Sequence, residues 1–196
     1  MTALPVHVGA IVLAAGEGRR MGGPKLFAKL GDEVFVRTIL RRLVDAAIAP
    51  VVVVVAAPYL EQARELFPTA RWEVNPEPTR GMLSSLHVGI RALGALDGYL
   101  VVPVDHPTVR SDSYRALVQA FAATPHAVIR PVFDGEGGHP LLIPHALAAQ
   151  LGVEDVVDGL AARVRTSGLP VRSVWLDDPG VVTNLNAPED VAPPLR

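Results

Sequence analysis

The chain of 196 residues has no cysteine. Disulfide bonds, thiolate zinc sites and a cysteine nucleophile are therefore excluded. Long apolar runs are missing as well, since no stretch reaches the ~18 apolar residues of a membrane-spanning helix. The net charge is small as well: it is formally −2, and cations cluster only in one loop near the N-terminus. A nucleic-acid surface needs many cationic contacts to phosphates, so we expect neither a nucleic acid nor a membrane as partner.

Apolar residues make up 49% of the chain, in runs that alternate with helical patterns. This alternation is typical of parallel βαβ units, in which helices cover a buried sheet. No linker divides the chain, so we expect one domain over residues 1–196. The N-terminus lacks the features of a signal peptide, which predicts a cytoplasmic protein. Strands are predicted over 8–14, 51–56, 71–74, 99–104, 127–132, 140–143 and 171–176, and helices over 33–47, 59–66, 82–93, 111–122, 144–151 and 154–165.

Two details of these helices are also predicted. The helix that begins near residue 111 is expected to use Ser111 as its N-terminal cap, because a serine hydroxyl can accept a hydrogen bond from a free backbone N–H. The helix over 33–47 is expected to bury Val44 together with Leu43 and Ile39. Both expectations depend only on local pattern.

The first predicted strand ends abruptly in a loop where glycines alternate with cations, within GAIVLAAGEGRRMGGPK at residues 9–25. Glycines let backbone N–H groups approach an anion, and ligands of open α/β sheets bind beyond the carboxyl ends of strands. We therefore predict a phosphate-binding loop. The spacing meets only part of the dinucleotide fingerprint and no Walker loop, so an ordinary glycine-rich turn would explain the glycines but not the ordered cations. The glycines are Gly16, Gly18, Gly22 and Gly23, and the cations are Arg19, Arg20 and Lys25.

Asp105 follows the apolar run at residues 101–104 and precedes His106 and Pro107. A lone carboxylate at the end of a buried strand must be paired, solvated or bound to a cation. Hard oxygen ligands suit Mg²⁺, which usually keeps waters and substrate phosphates as its other ligands. We therefore predict that Asp105 is a magnesium ligand. The alternative is an aspartate that caps the following turn, and the residue types assign no role to His106.

The turn-rich segment 75–81 leads into the helix predicted to begin at Met82. Ser84 and Ser85 fall in its first turn, where free N–H groups and the positive end of the helix dipole can meet an anion or a base edge. Helix capping would use serines equally well, so the residue types leave both interpretations open.

Together these segments resemble a known family, the MobA-like nucleotidyltransferases. LAAGEGRRMGGPK at residues 13–25 is similar to L-A-A-G-x-S/G-x-R-M-G-x-P-K of enzymes like molybdenum cofactor cytidylyltransferase, and residues 75–86 match N-P-x-x-x-x-G-M-x-x-S-L. Residues 105–107 match the D-x-P string that carries the family's magnesium ligand. The resemblance implies a three-layer α/β/α, Rossmann-like fold with a mostly parallel, mixed sheet. It implies catalytic roles for Arg20, Lys25 and Asp105, and nucleotide binding by Leu13, Ala14, Ala15, Gly16, Gly18, Arg20, Lys25, Asn75, Gly81, Ser84 and Ser85.

Two further stretches match family strings. Residues 137–140 (GGHP) resemble a G-H-P turn that faces the second substrate, which implies that His139 binds the acceptor. Residues 184–190 (NLNAPED) resemble an ending written D-x-D-x-P-E-D or N-x-N-x-P-E-E. By that match Asn186 is a metal ligand, and its amide oxygen can coordinate without adding charge. The asparagine resembles the guanine-nucleotide relatives, whereas residues 14–16 (AAG) resemble the cytidine enzymes.

The resemblance implies a nucleotidyltransferase with Mg²⁺ as cofactor and CTP as the first choice of nucleoside triphosphate. A phosphate oxygen of the acceptor would attack the α-phosphorus and release pyrophosphate. A phosphate monoester is already an anion at neutral pH, so the reaction requires no general base. The implied acceptor is the molybdopterin cofactor, and the implied client protein is a molybdenum hydroxylase.

Two alternatives stay open at this point. One is a transferase on the same fold that uses GTP or another acceptor, such as a sugar phosphate or a methylerythritol phosphate. The other is a non-catalytic carrier or maturation chaperone for the molybdenum cofactor, because a fold does not determine what its second pocket holds. Replacement of Asp105 separates these classes: an enzyme should lose pyrophosphate release, whereas a carrier should keep its ligand.

Overall fold

The computed structural model describes residues 6–151 and 159–191. Within these ranges the strands are β1 (Val8–Ala14), β2 (Lys29–Leu30), β3 (Glu33–Val34), β4 (Val51–Ala56), β5 (Trp72–Asn75), β6 (Gly98–Pro103), β7 (Val128–Phe133), β8 (Glu136–Gly137), β9 (Leu141–Pro144) and β10 (Val171–Trp175). The α-helices are α1 (Phe35–Asp45), α2 (Leu60–Leu66), α3 (Met82–Leu93), α4 (Ser111–Ala123), α5 (His145–Ala148) and α6 (Gly159–Thr166). In the described part of the chain, no helix has the length and apolar character to cross a membrane.

An eight-stranded sheet forms the middle layer, in the order β10-β7-β9-β6-β1-β4-β5, with the short β8 paired to β7. β1 is parallel to both β4 and β6, β4 is parallel to β5, and β7 is parallel to β10. β9 runs antiparallel between β6 and β7. The predicted mostly parallel, mixed sheet is therefore confirmed.

Helices cover both faces of this sheet, because its central strands are apolar at every position. In β4, Val53 and Val55 face the core formed with α1, α2 and α4. Val52 and Val54 face the opposite core, formed with α3, α5 and α6. Burial of each such side chain contributes roughly 1.5–3 kcal/mol before the entropy cost of folding. The alternation of neighbouring valines between two cores confirms the three-layer α/β/α architecture.

The first helix differs from its prediction at both ends. Residues 33–34 form β3, and α1 begins at Phe35. Val44, expected on the buried side, is 73% exposed. It lies half a turn around the helix from Phe35, which is fully buried, so the prediction for Val44 was wrong.

The cap of α4 also differs from its prediction. The helix follows Arg110, and Ser111 is its first residue rather than its cap. The backbone N–H of Arg110 donates instead to the buried carboxylate of Asp178, at 2.8 Å. The start of α4 is thus bonded to a residue 68 positions further along the chain and has no side-chain cap of its own. Of the last predicted helix, residues 154–158 lie outside the described residues, and α6 covers all of the remainder, 159–165, and extends one residue further.

The order of the strands determines where a crevice opens. From β1 the chain passes to β4 and β5 on one side, and α3 then returns it to β6 on the other side of β1. Strand order therefore reverses between β1 and β6, where Leu13 is paired with Pro103 near the carboxyl ends of both strands. Ligands of such sheets bind in the crevice at this switch point.

The phenol of Tyr114 on α4 allows a test of the core. It is fully buried, burial raises its pKa, and its hydroxyl has no hydrogen-bond partner among the described residues. Tyr114→Phe should leave the free energy of unfolding unchanged or raise it by about 1 kcal/mol. The matched change is Tyr99→Phe, whose hydroxyl donates to the Gly94 carbonyl at 2.6 Å, and it should lower stability by about 1 kcal/mol. Equal losses in urea denaturation would contradict the prediction.

Candidate active site

The loop after β1 depends on the glycine at position 18. Gly18 is in the left-handed region at φ 61°, and a Cβ there would lie 1.9 Å from the carbonyl oxygen of Gly23. The Gly18 carbonyl accepts hydrogen bonds from the N–H groups of Met21 (2.8 Å) and Gly23 (3.3 Å). These contacts fold the loop back on itself. Gly16 has open space around the position of a Cβ, so its backbone does not demand glycine in the same way.

A crevice with two adjoining lobes lies beyond the carboxyl ends of β1 and β6. The larger lobe, of about 600 Å³, is lined by Ala15, Gly16, Glu17, Gly18, Arg19, Arg20, Lys25, Pro78, Thr79 and Asn186. The smaller lobe, of about 260 Å³, is lined by Leu13, Ala15, Gly16, Gly18, Lys25, Pro78, Gly81, Met82, Ser85, Pro103, Val104 and Asp105. Three cationic side chains, Arg19, Arg20 and Lys25, line the larger lobe, whereas Lys25 is the cation that lines the smaller one.

Lys25 joins the two candidate metal ligands. Its ammonium nitrogen lies 2.8 Å from Oδ2 of Asp105 and 2.5 Å from Oδ1 of Asn186. The side chains of Lys25 and Asp105 are each about four-fifths buried, so water screens this ion pair only partly. Three residues that the sequence proposed separately, 80 and 161 positions apart, thus converge on one point at the crevice.

The oxygen atoms at this point suit a hard divalent cation. Asp105 and Asn186 already direct one oxygen each at a positive charge, and Oδ1 of Asp105 is buried without a partner among the described residues. In those residues no group of three or more histidine, aspartate or glutamate side chains could enclose a metal ion. This set matches Mg²⁺, which takes one or two protein oxygens and completes its shell with water and phosphate. The residues present therefore fit the predicted ion.

Arg20 is the loop cation best placed to meet an anion. Arg19 is paired with Glu17 at 2.5 Å, and Lys25 is paired with Asp105. Arg20 is exposed, lines the larger lobe and has no ion-pair partner in the described ranges. An unpaired guanidinium binds phosphate through planar, bidentate hydrogen bonds. The role of Arg20 in holding a triphosphate stays a prediction.

Asn75 supports the opposite wall of the crevice. Its amide nitrogen donates to the hydroxyls of Ser84 (2.8 Å) and Ser85 (2.9 Å), and its amide oxygen accepts from the N–H of Glu77 (2.9 Å). Asn75 is buried and lines neither lobe. Ser84 is only partly buried and also lines neither lobe, and its hydroxyl donates to the Gly81 carbonyl. Ser85 lines the smaller lobe and has a hydroxyl hydrogen left to donate. Direct contact of Asn75 and Ser84 with nucleotide stays a prediction.

Ala14 and His139 also lie outside the two lobes. The side chain of Ala14 packs into the core beneath α1 and α2, so only its backbone can face a ligand. His139 packs against His106, with ring centroids 5.1 Å apart. Nδ1 of each ring is buried and without a partner among the described residues. Burial lowers the pKa of both rings, that of His139 to about 4. Acceptor binding by His139 stays a prediction.

The buried ring of His139 predicts a loss of stability in mild acid. The unfolded chain takes up a proton near pH 6.5, whereas the folded ring does so only near pH 4, so the stability it contributes is present above pH 6.5 and is lost as pH falls through this window. In urea unfolding, the loss of stability between pH 7.5 and 5 should be smaller in His139→Gln than in the wild type, by roughly 2 kcal/mol; the buried His106 still contributes to the loss in the variant. His126→Gln, at an exposed position, is the control and should keep the full loss.

Sequence analysis did not identify several residues at the crevice. Pro78 and Thr79 line the larger lobe, and their turn-rich segment was the available signal. Arg42 on α1 donates to the carbonyls of Pro107 and Val109 (2.9 and 2.6 Å), which anchors the turn after Asp105. Asp190 accepts from the N–H groups of Asn186 and Ala187, contacts that lower the pKa of its carboxyl. No sequence pattern pointed to Arg42, because its partners lie 65 and 67 residues away.

The family model of the MobA-like NTP transferase domain matches residues 10–165. A protein from Cereibacter sphaeroides named molybdenum cofactor guanylyltransferase is 32% identical over 191 residues, which cover 93% of this chain and 92% of that protein. A match of this length includes both the glycine loop and the segment that carries Asp105.

Solved structures share the fold. Rv0371c from Mycobacterium tuberculosis H37Rv superposes with a TM-score of 0.82 at 21% identity, covering 97% of this chain and 96% of that one. Molybdopterin-guanine dinucleotide biosynthesis protein A from Archaeoglobus fulgidus superposes with a TM-score of 0.70 at 18% identity, covering 93% and 94%. At these identities the likeness extends to the fold alone.

Proposed function

We propose a specific reaction for this chain, which belongs to the MobA-like NTP transferase family and is a nucleotidyltransferase. In this proposal it transfers GMP from GTP to the phosphate of a molybdopterin cofactor and releases pyrophosphate. The observation that carries this proposal is the convergence of Lys25, Asp105 and Asn186 beside the glycine loop. It places a carboxylate and an amide oxygen next to a cationic lobe large enough for a triphosphate.

Binding in this proposal follows the character of the two lobes. The triphosphate lies in the larger lobe, where Arg20 and the backbone of the glycine loop hold it. The base lies in the smaller lobe, between Met82 and Pro103, with the hydroxyl of Ser85 as a donor. Lys25 lines both lobes and can exchange a carboxylate partner for a phosphate oxygen.

The chemical step needs little covalent help from the protein. A phosphate oxygen of the acceptor forms a bond to the α-phosphorus of GTP, the bond to the bridging oxygen breaks, and pyrophosphate leaves. Positioning and charge neutralisation are the main contributions of the chain, through Arg20 and Lys25. Mg²⁺ held by Asp105 and Asn186 would add Lewis-acid neutralisation of the phosphates.

The choice of GTP departs from the CTP expectation and has two supports. The similar protein from Cereibacter sphaeroides bears the name guanylyltransferase, and Asn186 follows the ending of the guanine-nucleotide relatives. Ala15 supports CTP instead, because the cytidine enzymes carry an alanine at this position and Ala15 lines both lobes. The two motifs thus oppose each other, and the name of the relative favours GTP.

The test measures pyrophosphate release from GTP, CTP, ATP and UTP, each with the molybdopterin cofactor, with a sugar phosphate and with methylerythritol phosphate, in Mg²⁺. We expect release with GTP and the pterin acceptor to exceed every other pair by at least ~10-fold, the discrimination that about 1.4 kcal/mol of differential binding provides. Faster release with CTP would restore the original expectation. Tight binding of the cofactor with no release from any pair would favour a carrier.

A further inference from the structure

Asp178 is the carboxylate whose placement the proposed reaction leaves unexplained. It is 3% exposed. Its Oδ2 accepts from the N–H of Arg110 (2.8 Å) and the hydroxyl of Ser113 (2.5 Å), and its Oδ1 accepts from the N–H of Gly180 (3.0 Å). The guanidinium of Arg110 lies 3.5 Å from Oδ1. A buried charge is costly unless donors surround it, so this one is held by two separate parts of the chain.

The two parts are the start of α4 and the segment of residues 178–186, which we call the C-terminal strap. The strap runs directly over the turns that follow β6 and β8. A Cβ at Gly180 would lie 2.7 Å from the backbone of Thr108. The carbonyl of Val181 accepts from the N–H of His139 at 2.7 Å, and the N–H of Leu185 donates to the carbonyl of Asp105 at 2.9 Å. The strap ends at Asn186, in contact with Lys25.

We infer that Asp178 is a positioning residue that acts through this strap to hold Asn186 against Lys25, whose ammonium also contacts Asp105. Its carboxylate connects the start of α4, which follows the Asp105 turn, with the first residues of the strap. One side chain therefore fixes the segments that carry the oxygens of Asp105 and Asn186. This inference rests on the proposed function for its catalytic consequence. The geometric consequence, that loss of the anchor loosens the strap, is independent of any reaction.

The first experiment measures amide hydrogen exchange in Asp178→Asn. An asparagine of the same size keeps one oxygen but turns an NH₂ group towards the N–H of Arg110 or of Gly180. We expect the amides of Leu185 and His139 to exchange at least ~10-fold faster, while those of β1 and β4 keep their protection. Asp177→Asn, the same change at the exposed neighbour, should leave the exchange of both amides unaltered. Unchanged exchange of Leu185 in Asp178→Asn would overturn the inference.

The second experiment is a double-mutant cycle on pyrophosphate release. We expect Asp178→Asn to lower kcat by about 10-fold with KM for GTP within about 3-fold, because the backbone hydrogen bonds that fold the glycine loop lie within residues 18–23. If Asp178 acts through Asn186, adding Asp178→Asn to Asn186→Ala should cause little further loss. Losses that multiply would show independent action and overturn the inference.

Failure of this inference can be distinguished from failure of the proposed function. If the wild type releases no pyrophosphate, the proposed function fails and hydrogen exchange alone decides the role of Asp178. If Asp178→Asn does not fold, Ser113→Ala replaces it, because it removes one donor and leaves the carboxylate with Arg110 and Gly180. In Ser113→Ala the amides of Leu185 and His139 should exchange faster than in the wild type, but by a smaller factor than the ~10-fold expected for Asp178→Asn. Unchanged exchange of these amides would overturn the inference.

Discussion

Asp105→Asn should reduce pyrophosphate release by roughly 10³-fold or more, since neutralisation of phosphate charge by a metal contributes several kcal/mol in the transition state. The substitution keeps the shape of the side chain, and an amide oxygen can still accept from Lys25. What it removes is the charge at the only carboxylate that contacts Lys25 within the described ranges. Steady-state pyrophosphate release over a range of Mg²⁺ concentrations measures the effect.

Two further measurements make this result specific. Binding of GTP without metal should change little, because the glycine loop and Arg20 are untouched. Asp32→Asn, an exposed aspartate in the β2–β3 hairpin, should keep wild-type rates. Retention of more than about a tenth of the wild-type rate in Asp105→Asn would contradict the role of this carboxylate, because the loss would then be under about 1.4 kcal/mol.

Gly18→Ala should abolish nucleotide binding in the accessible range, a loss of at least ~100-fold in affinity. Its backbone is left-handed, which costs an alanine roughly 1–2 kcal/mol, and the new methyl group would overlap the Gly23 carbonyl at 1.9 Å. The loop must then open, and the N–H groups and Arg20 lose their arrangement around the triphosphate. Titration of GTP by calorimetry measures the change.

Gly31→Ala is the control that separates the two effects of Gly18→Ala, the strain of a left-handed backbone and the overlap of the methyl group with a carbonyl. Gly31 has nearly the same φ, 62°, but open space where the methyl group would go, and it lies in the β2–β3 hairpin. We expect a loss of about 1 kcal/mol in stability with GTP affinity retained. Equal affinities of Gly18→Ala and the wild type would show that the loop does not grip the triphosphate.

The local elements around the site could be predicted from the sequence. The strand that becomes β1 is an uninterrupted apolar run, and burial on both faces requires such a run whatever surrounds it. Helix α3 has the predicted bounds, because its apolar spacing and the glycines on either side are both local signals. The presence of glycines after β1 and of Asp105 after β6 likewise needed no knowledge of neighbours.

Which glycine matters and which polar atoms meet could not be predicted. The loop pattern treats Gly16 and Gly18 alike, and only the folded backbone shows that Gly18 alone of the two lies against a carbonyl. Burial of the His139 ring depends on the neighbouring His106, which stands 33 positions away along the chain. Contacts of this kind are absent from any periodic pattern.

The amino-acid sequence by itself determined the secondary structure near the crevice, the α/β class and the family of this protein, because hydrophobic period, glycine and proline act over a few residues. Only the tertiary structure decided that Lys25 joins Asp105 and Asn186, and that Asp178 anchors the strap between them. These contacts arise from the order in which strands pair and from the path of the chain over the edge of the sheet. Such long-range geometry is a property of the whole core, which no short segment encodes.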